Sequence, residues 1–268
     1  MKQTLTFLAA FFIFTGCKNE EKKESDKAPQ EIAEMTEKDS SQQTDSSSVE
    51  IDPISHATAV VKWDESVFYI DPTGGAEAFA DKPKPDFVLI TDIHGDHMDA
   101  NTLNALKLGD TKVIVPKAVK EKLPKELQKN LVVMNNGETK NHLGFEIEAL
   151  PMYNLPESQD AYHTKGRGNG YVISKGGTKV YFAGDTEDIP EMRNLKNIDM
   201  AFIPMNLPYT MPVEQAAEGV LAFAPAKVYP YHYRGKDGLH DVEKFKKLVN
   251  EGNKNIEVVL LDWYPDMD

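Results

Sequence analysis

Asp92-Ile93-His94-Gly95-Asp96-His97 decides how this chain reads. The apolar run Phe87-Val88-Leu89-Ile90-Thr91 leads into it and reads as a buried strand; Asp99 to Leu108 follows and reads as a helix. Two aspartates and two histidines, all able to ligate a metal, therefore sit in one loop at a strand's C-terminal end. In an extended backbone, positions 92, 94 and 96 project to one side. His97, at the turn, swings to a neighbouring point. One loop can thus serve two adjacent metal ions. A polar loop can hold such residues by coincidence, but matching residues recur downstream.

His163 opens the glycine-rich segment His163-Thr164-Lys165-Gly166-Arg167-Gly168-Asn169-Gly170, just before the run Tyr171-Val172-Ile173. Asp185 follows the strand-like Val180-Tyr181-Phe182, and His232 follows Lys227-Val228 within Tyr229-Pro230-Tyr231-His232-Tyr233. Each is flanked by glycine, proline or polar turn residues. Strand ends held by a sheet make a rigid cage, which metal ligation needs. The candidate ligands are therefore Asp92, His94, Asp96, His97, His163, Asp185 and His232. That is more than one ion requires and enough for two.

This motif set resembles the metallo-β-lactamase superfamily, whose pattern is HxHxDH followed by single His, Asp and His residues at successive strand ends. Ile54-Ser55-His56-Ala57-Thr58 and Val67-Phe68-Tyr69-Ile70-Asp71-Pro72 are similar to the openings of one branch. That branch contains ascorbate-phosphate lactonase and N-acyl phosphatidylethanolamine phospholipase D. The resemblance runs over residues 51–264. It implies an α/β fold, an αββα sandwich, and two divalent metal ions bridged by Asp185. Zinc comes first among the metals. Two ions about 3.5–4 Å apart would turn a bridging water into hydroxide at neutral pH. Asp96 would both bind the second ion and orient the hydroxide, so Asp96 and Asp185 are the catalytic candidates. The bond cleaved would be a phosphoester, lactone or amide in a small-molecule or lipid-derived substrate. There is no GxSxG segment to offer a serine nucleophile.

One position departs from the pattern: the family's first histidine is Asp92 here. As a ligand, Asp92 adds a hard oxygen and a negative charge, which admits manganese, iron or magnesium. If it does not bind, the first site has only His94, His163 and Asp185. The sequence leaves both open. It also leaves room for a non-catalytic metal- or ligand-binding lipoprotein that keeps the fold.

Lys165, Arg167 and Arg234 lie within four residues of His163 or His232. Beside a metal site in an acidic chain, such cations suit a phosphate or carboxylate of the substrate. Asn154 and Asn206 lie in polar-aromatic loops after strands and are candidate substrate donors. His56 is a candidate for the site mouth or for hydrogen bonding to a ligand.

The bulk numbers narrow the class. The formal charge of −13 argues against a nucleic-acid surface, so no nucleic-acid partner is expected. The chain of 268 residues, 40% hydrophobic, supports one sizeable core. Met1-Lys2 followed by the apolar Leu5 to Phe14 reads as a targeting segment. Phe14-Thr15-Gly16-Cys17 resembles a bacterial lipoprotein box, and Cys17 is the sole cysteine. The expectation is an exported lipoprotein, held to a cell-envelope membrane by lipid on Cys17. Residues 1–17 would be the signal segment. Residues 18–50, rich in Glu, Lys, Ser and Gln and free of aromatics, would be a solvated tether. Residues 51–268 would be the hydrolase domain. Within it, strands are expected at 58–63, 67–71, 87–91, 112–115, 131–134, 145–150, 170–174, 179–183, 200–204, 227–230 and 256–261. Helices are expected at 99–108, 116–129, 213–224 and 241–251.

Overall fold

In the computed structural model, which describes residues 48–265 and 267, the apolar runs of the N-terminal half become strands buried on both faces. β1 (Val49–Ser55), β2 (Thr58–Trp63), β3 (Ser66–Ile70), β4 (Phe87–Leu89), β5 (Lys112–Val115) and β6 (Leu131–Val133) form one sheet in that order. β1 to β3 pair antiparallel, and β3 to β6 run parallel. The period of two divides each strand between two cores. Phe68, Phe87, Leu89 and Ile114 enter one; Tyr69, Val88, Val113 and Val115 enter the other. This second core is closed by Leu103 of α1 (Ala100–Ala105) and Val119 of α2 (Lys117–Lys122).

The C-terminal half repeats the plan. β7 (Thr139–His142), β8 (Phe145–Met152), β9 (Gly168–Lys175) and β10 (Thr178–Phe182) pair antiparallel. β11 (Met200–Pro204) and β12 (Lys227–Tyr231) extend the sheet in parallel beyond β10. After a small hairpin, β13 (Arg234–Gly235) with β14 (Gly238–Leu239), β15 (Glu257–Val258) adds the last parallel strand. The two sheets pack face to face. The Phe145 ring lies 5.3, 5.8 and 5.4 Å from those of Trp63, Phe68 and Phe87. α3 (Pro190–Arg193) and α4 (Val213–Phe223) follow strands of the second sheet, and α5 (Val242–Gly252) links the hairpin to β15. Phe223 of α4 meets Tyr181 edge-on, and Val220, Phe245 and Val249 join the same core. The layers are helix, sheet, sheet, helix, as the αββα expectation requires. Among the described residues, no helix is long and apolar enough to cross a membrane.

The expected helix 116–129 stops at Lys122, because Pro124 restricts the residue before it and Leu123 is extended at φ −67°, ψ 141°. Residues 125–128 form a separate 3-10 turn. The strand expected at 256–261 pairs only over Glu257 and Val258. Continuing that register sets the proline of β12, Pro230, opposite the next positions, and it has no N–H to give. β1 and β7 were not expected; both are edge strands, β7 wholly polar and β1 half-covered and interrupted by Pro53. β1 begins at Val49, inside the segment read as tether. Cys17, the targeting segment and most of that tether lie outside the described residues.

Candidate metal centre

The site is built where parallel strands of both sheets end. After β3, Asp71 takes a left-handed backbone conformation, φ +44°, and its fully buried carboxylate turns beneath the loop after β4. There it accepts the Thr91 N–H at 2.7 Å, the Thr91 hydroxyl at 2.6 Å and His97 Nδ1–H at 2.8 Å. A carboxylate on Nδ1 holds a proton there, so Nε2 is the atom His97 would offer to an ion, and it faces Asp185 and His232. His97 Nε2 lies 3.2 Å from Asp185 Oδ2. After β12, His232 is also left-handed, φ +48°, and its Nδ1 rests 3.1 Å from the side-chain amide of Asn206, which follows β11. His232 Nε2 lies 3.3 Å from Asp96 Oδ2, 3.4 Å from Asp185 Oδ1 and 3.2 Å from His97 Nε2.

His163 arrives by a two-point clamp. Its N–H donates to Asn154 Oδ1 at 2.7 Å, and the Asn154 N–H donates to its carbonyl at 3.0 Å. Gly168 then lets β9 press against the end of β4. A Cβ there would lie 2.6 Å from Met152 Cε and 2.9 Å from the Thr91 carbonyl oxygen. His163 Nε2 ends 3.0 Å from Asp185 Oδ2 and 3.9 Å from Asp92 Oδ2. Asp92 is fully buried, with His94 Nδ1 2.8 Å from its Oδ2.

All the sequence-predicted ligands are thus brought together, in two clusters. Asp92, His94 and His163 each offer a ligand atom within 4.8 Å of the others, and so do Asp96, His97 and His232. Asp185 stands between the clusters, in reach of His163, His97 and His232. These residues fit metal ions. Both ring nitrogens of His163 and Oδ1 of Asp185 are buried without a hydrogen-bond partner, which is costly unless something else meets them. The electrostatics agree. Burial works against charge on His97, yet the Asp185 and Asp71 carboxylates raise its pKa well above the ordinary imidazole value. Burial likewise works against the Asp185 and Asp96 carboxylates, yet His232 and His97 hold both well below the usual range. Such a cluster draws positive charge into a dry place.

The clusters open onto a cleft of about 340 Å³ lined by His56, His94, Asp96, Tyr162, His163, Asp185, Asn206, Tyr209, His232, Arg234 and Gly235. Of the three candidate cations, only Arg234 lines it. Lys165 is tied between Glu157 and Glu191, 3.1 Å from each, and reaches the Tyr153 hydroxyl at 3.2 Å. Arg167 donates from Nε and Nη2 to the two oxygens of Asp92, at 3.1 and 2.9 Å. Asn206 lines the cleft. Asn154 does not: it serves the His163 clamp and donates to Glu187 and the Tyr209 carbonyl. His56 sits in the turn between β1 and β2 at φ +54°, its ring 4.7 Å from that of His232 and its Nδ1 2.8 Å from the Tyr264 hydroxyl. The Arg234 guanidinium donates to its Nε2. Burial first, then His232 and Arg234, bring its pKa down to about 3, so it is neutral at pH 7. Sequence reasoning gave no role to Asp71, Thr91 or Tyr264. The Ile70-Asp71-Pro72 segment carried the only signal, a carboxylate at a strand end.

Residues 68–233 match the family described as Beta-lactamase superfamily domain. A UPF0173 metal-dependent hydrolase of Thermococcus onnurineus (strain NA1) is 33% identical over 201 residues, 72% of this chain and 87% of that protein. The chain belongs to the metallo-β-lactamase superfamily, among its metal-dependent hydrolases. A second such hydrolase, from Pyrococcus abyssi (strain GE5 / Orsay), is 31% identical and covers 79% of this chain and 96% of its own. Among solved structures, a protein of Parabacteroides distasonis ATCC 8503 is 37% identical, with a TM-score of 0.72 over 81% of this chain and 94% of that one. Igni18, a metallo hydrolase from Ignicoccus hospitalis KIN4/I, is 26% identical, with a TM-score of 0.67 over 80% and 94%. The helix–sheet–sheet–helix order is accordingly the metallo-β-lactamase fold, and this hydrolase gathers its candidate ligands at one edge of it.

Proposed function

We propose that this hydrolase uses two divalent ions to cleave a phosphoester, lactone or amide bond in an anionic substrate. One ion would be held by Asp92, His94 and His163, the other by Asp96, His97 and His232, with Asp185 serving both. The observation that carries this is the meeting of both clusters in one cleft, around a shared buried carboxylate. Zinc is the first candidate, with manganese, iron or magnesium admitted by the extra carboxylate of Asp92. Bound ions supply Lewis acidity and a nucleophile from water at neutral pH.

The chain's own residues do the rest. Asp96 is held ionised and its side chain is 40% exposed to the cleft, so its carboxylate can accept a hydrogen from the attacking water and orient it. Arg234 presents a guanidinium at the cleft wall, where a substrate phosphate or carboxylate would dock. Neutral His56 accepts from Nη2 of Arg234 and Met267 Sδ from Nη1, so the guanidinium is held at the cleft wall with no carboxylate among the described residues to neutralise it. Tyr162 and Tyr209, edge to face at 5.2 Å, form an apolar wall for the remainder of the substrate.

The test is a panel of phosphodiester, lactone and amide substrates, each with a neutral analogue, assayed before chelation, after it, and after metal is restored. Activity should vanish on chelation and return with one divalent metal. Arg234→Ala should raise KM for the anionic substrate by roughly ten- to a hundred-fold, the value of a charge-assisted contact of about 1.5–3 kcal/mol. The neutral analogue should change little. Turnover by the metal-free protein would contradict the metal mechanism. Equal losses on charged and neutral substrates would contradict the docking role of Arg234.

A further inference from the structure

Asp92 is fully buried, but it is not a free carboxylate. Arg167 holds Oδ1 through Nε and Oδ2 through Nη2, and Oδ2 also faces His94 Nδ1 at 2.8 Å. The guanidinium is set there by the backbone. The Arg167 N–H closes a turn on the Thr164 carbonyl at 3.2 Å, Gly166 supplies the left-handed step at φ +87°, and Gly168 presses β9 onto the end of β4. Arg167 is thus an enclosed side chain, 19% exposed. The other cluster differs. Among the described residues, Asp96 and Asp185 form ion pairs only with histidines. His97 is backed by the further carboxylate of Asp71, and His232 by Asn206. One cluster is therefore backed by a carboxylate that, among the described residues, meets only the Thr91 donors and the His97 imidazole, and the other has its carboxylate already matched by a guanidinium.

We propose that Arg167 sets the affinity of the Asp92–His94–His163 cluster for its ion: by neutralising Asp92 it makes this the weak site beside a tight Asp96–His97–His232 site. A divalent ion entering beside a fixed guanidinium meets repulsion in a medium that screens poorly. The Asp92–Arg167 pair has no net charge, so it restores the neutrality of the imidazole found at that position in the resembling pattern. The hard-metal preference that a lone aspartate would confer is blunted with it. This rests on the two-metal proposal above.

The test is titration of the chelated full chain with manganese(II) alone, followed by equilibrium dialysis and calorimetry, for wild type, Arg167→Gln and Arg167→Lys. Wild type should bind two ions in two steps separated by roughly tenfold or more. Arg167→Gln should tighten the second step by roughly tenfold and leave the first unchanged, which also reports that the variant is folded. Arg167→Lys keeps the charge and should keep the weak second step. Two equal steps in wild type would overturn the proposal without any variant. A second step unchanged or weakened in Arg167→Gln, or Lys behaving as Gln, would overturn it as well. If wild type bound no ion, the two-metal proposal itself would fall; two ions with an indifferent Arg167 would sink this inference alone.

Discussion

Asp71 shows how much of a candidate metal site can rest on a residue outside the candidate ligands. Its carboxylate fixes the His97 tautomer and is itself fixed by Thr91, all out of contact with water. Asp71→Asn keeps the shape but removes the charge and one acceptor. Partners of this kind typically contribute ten- to a hundred-fold in metal affinity. Asp71→Asn should therefore weaken manganese or zinc binding at the Asp96–His97–His232 cluster by about that factor, measured by competition with a chromophoric chelator. Binding as tight as wild type would show that His97 needs no such partner. At this scale the sequence was legible for the candidate ligands that the fold gathers and opaque for their supports. A ligand announces itself by type and spacing. A support is recognised only by what lies opposite: Tyr264 reaches His56 across 208 positions, and no local pattern reports that. The same holds for the cations. Lys165 and Arg167 share one loop next to His163, yet one turns to Glu157 and Glu191 and the other to Asp92, 75 positions away.

The strand ends do the assembling. Asp71, Asp92, Asp185, Asn206 and His232 all follow strands that run parallel in their sheets. Short apolar runs ending in polar residues made these strands legible, because strands buried on both faces need continuous apolar sequence. The edge strands β1 and β7 were hidden, since Asp52, Pro53, Lys140 and Asn141 face solvent or a partly covered rim. The helix break at Leu123 follows from Pro124 alone, whereas the periodic lysines around it mimic a continuous helix. β9 supplies the element-scale prediction. In Gly168→Ala the new methyl meets Met152 Cε at 2.6 Å, which can move, and the Thr91 carbonyl at 2.9 Å, which cannot without disturbing the β4 loop. Overpacking of this kind typically costs about 1–3 kcal/mol. Denaturant unfolding should show that loss, together with weaker binding at the Asp92–His94–His163 cluster. An unaltered midpoint would mean that β9 does not depend on this close approach.

For the whole molecule, two sheets of the same plan set their parallel strand ends on one cleft, and the helices cover the outer faces. An acidic chain of net charge −13 keeps one arginine, Arg234, on that cleft among its described lining residues. The anion docking proposed for Arg234 would then be local rather than a property of the overall field. The left-handed residues His56 and His232 line this cleft and Asp71 lies buried beneath it; such backbone costs roughly 1–2 kcal/mol per residue and is tolerated where the surrounding fold fixes it. Placement in the cell is a separate proposal, supported by the apolar Leu5 to Phe14 run and the sole cysteine, Cys17. Cys17→Ser removes the thiol that a thioether lipid needs, so the variant should leave the membrane fraction for the soluble one. A Cys17→Ser protein that still sediments with membranes would rule the anchor out.

Where metal binds decides whether these clusters are a two-ion centre. Crystals of the full chain soaked in manganese or zinc and measured at the metal absorption edge give an anomalous difference map that answers this directly. Two peaks are predicted: one among Asp96, His97 and His232, and one of lower occupancy among Asp92, His94 and His163, each within ligand distance of Asp185. A map with no peak at either cluster, from crystals that bind the same ion elsewhere, would contradict the two-ion centre.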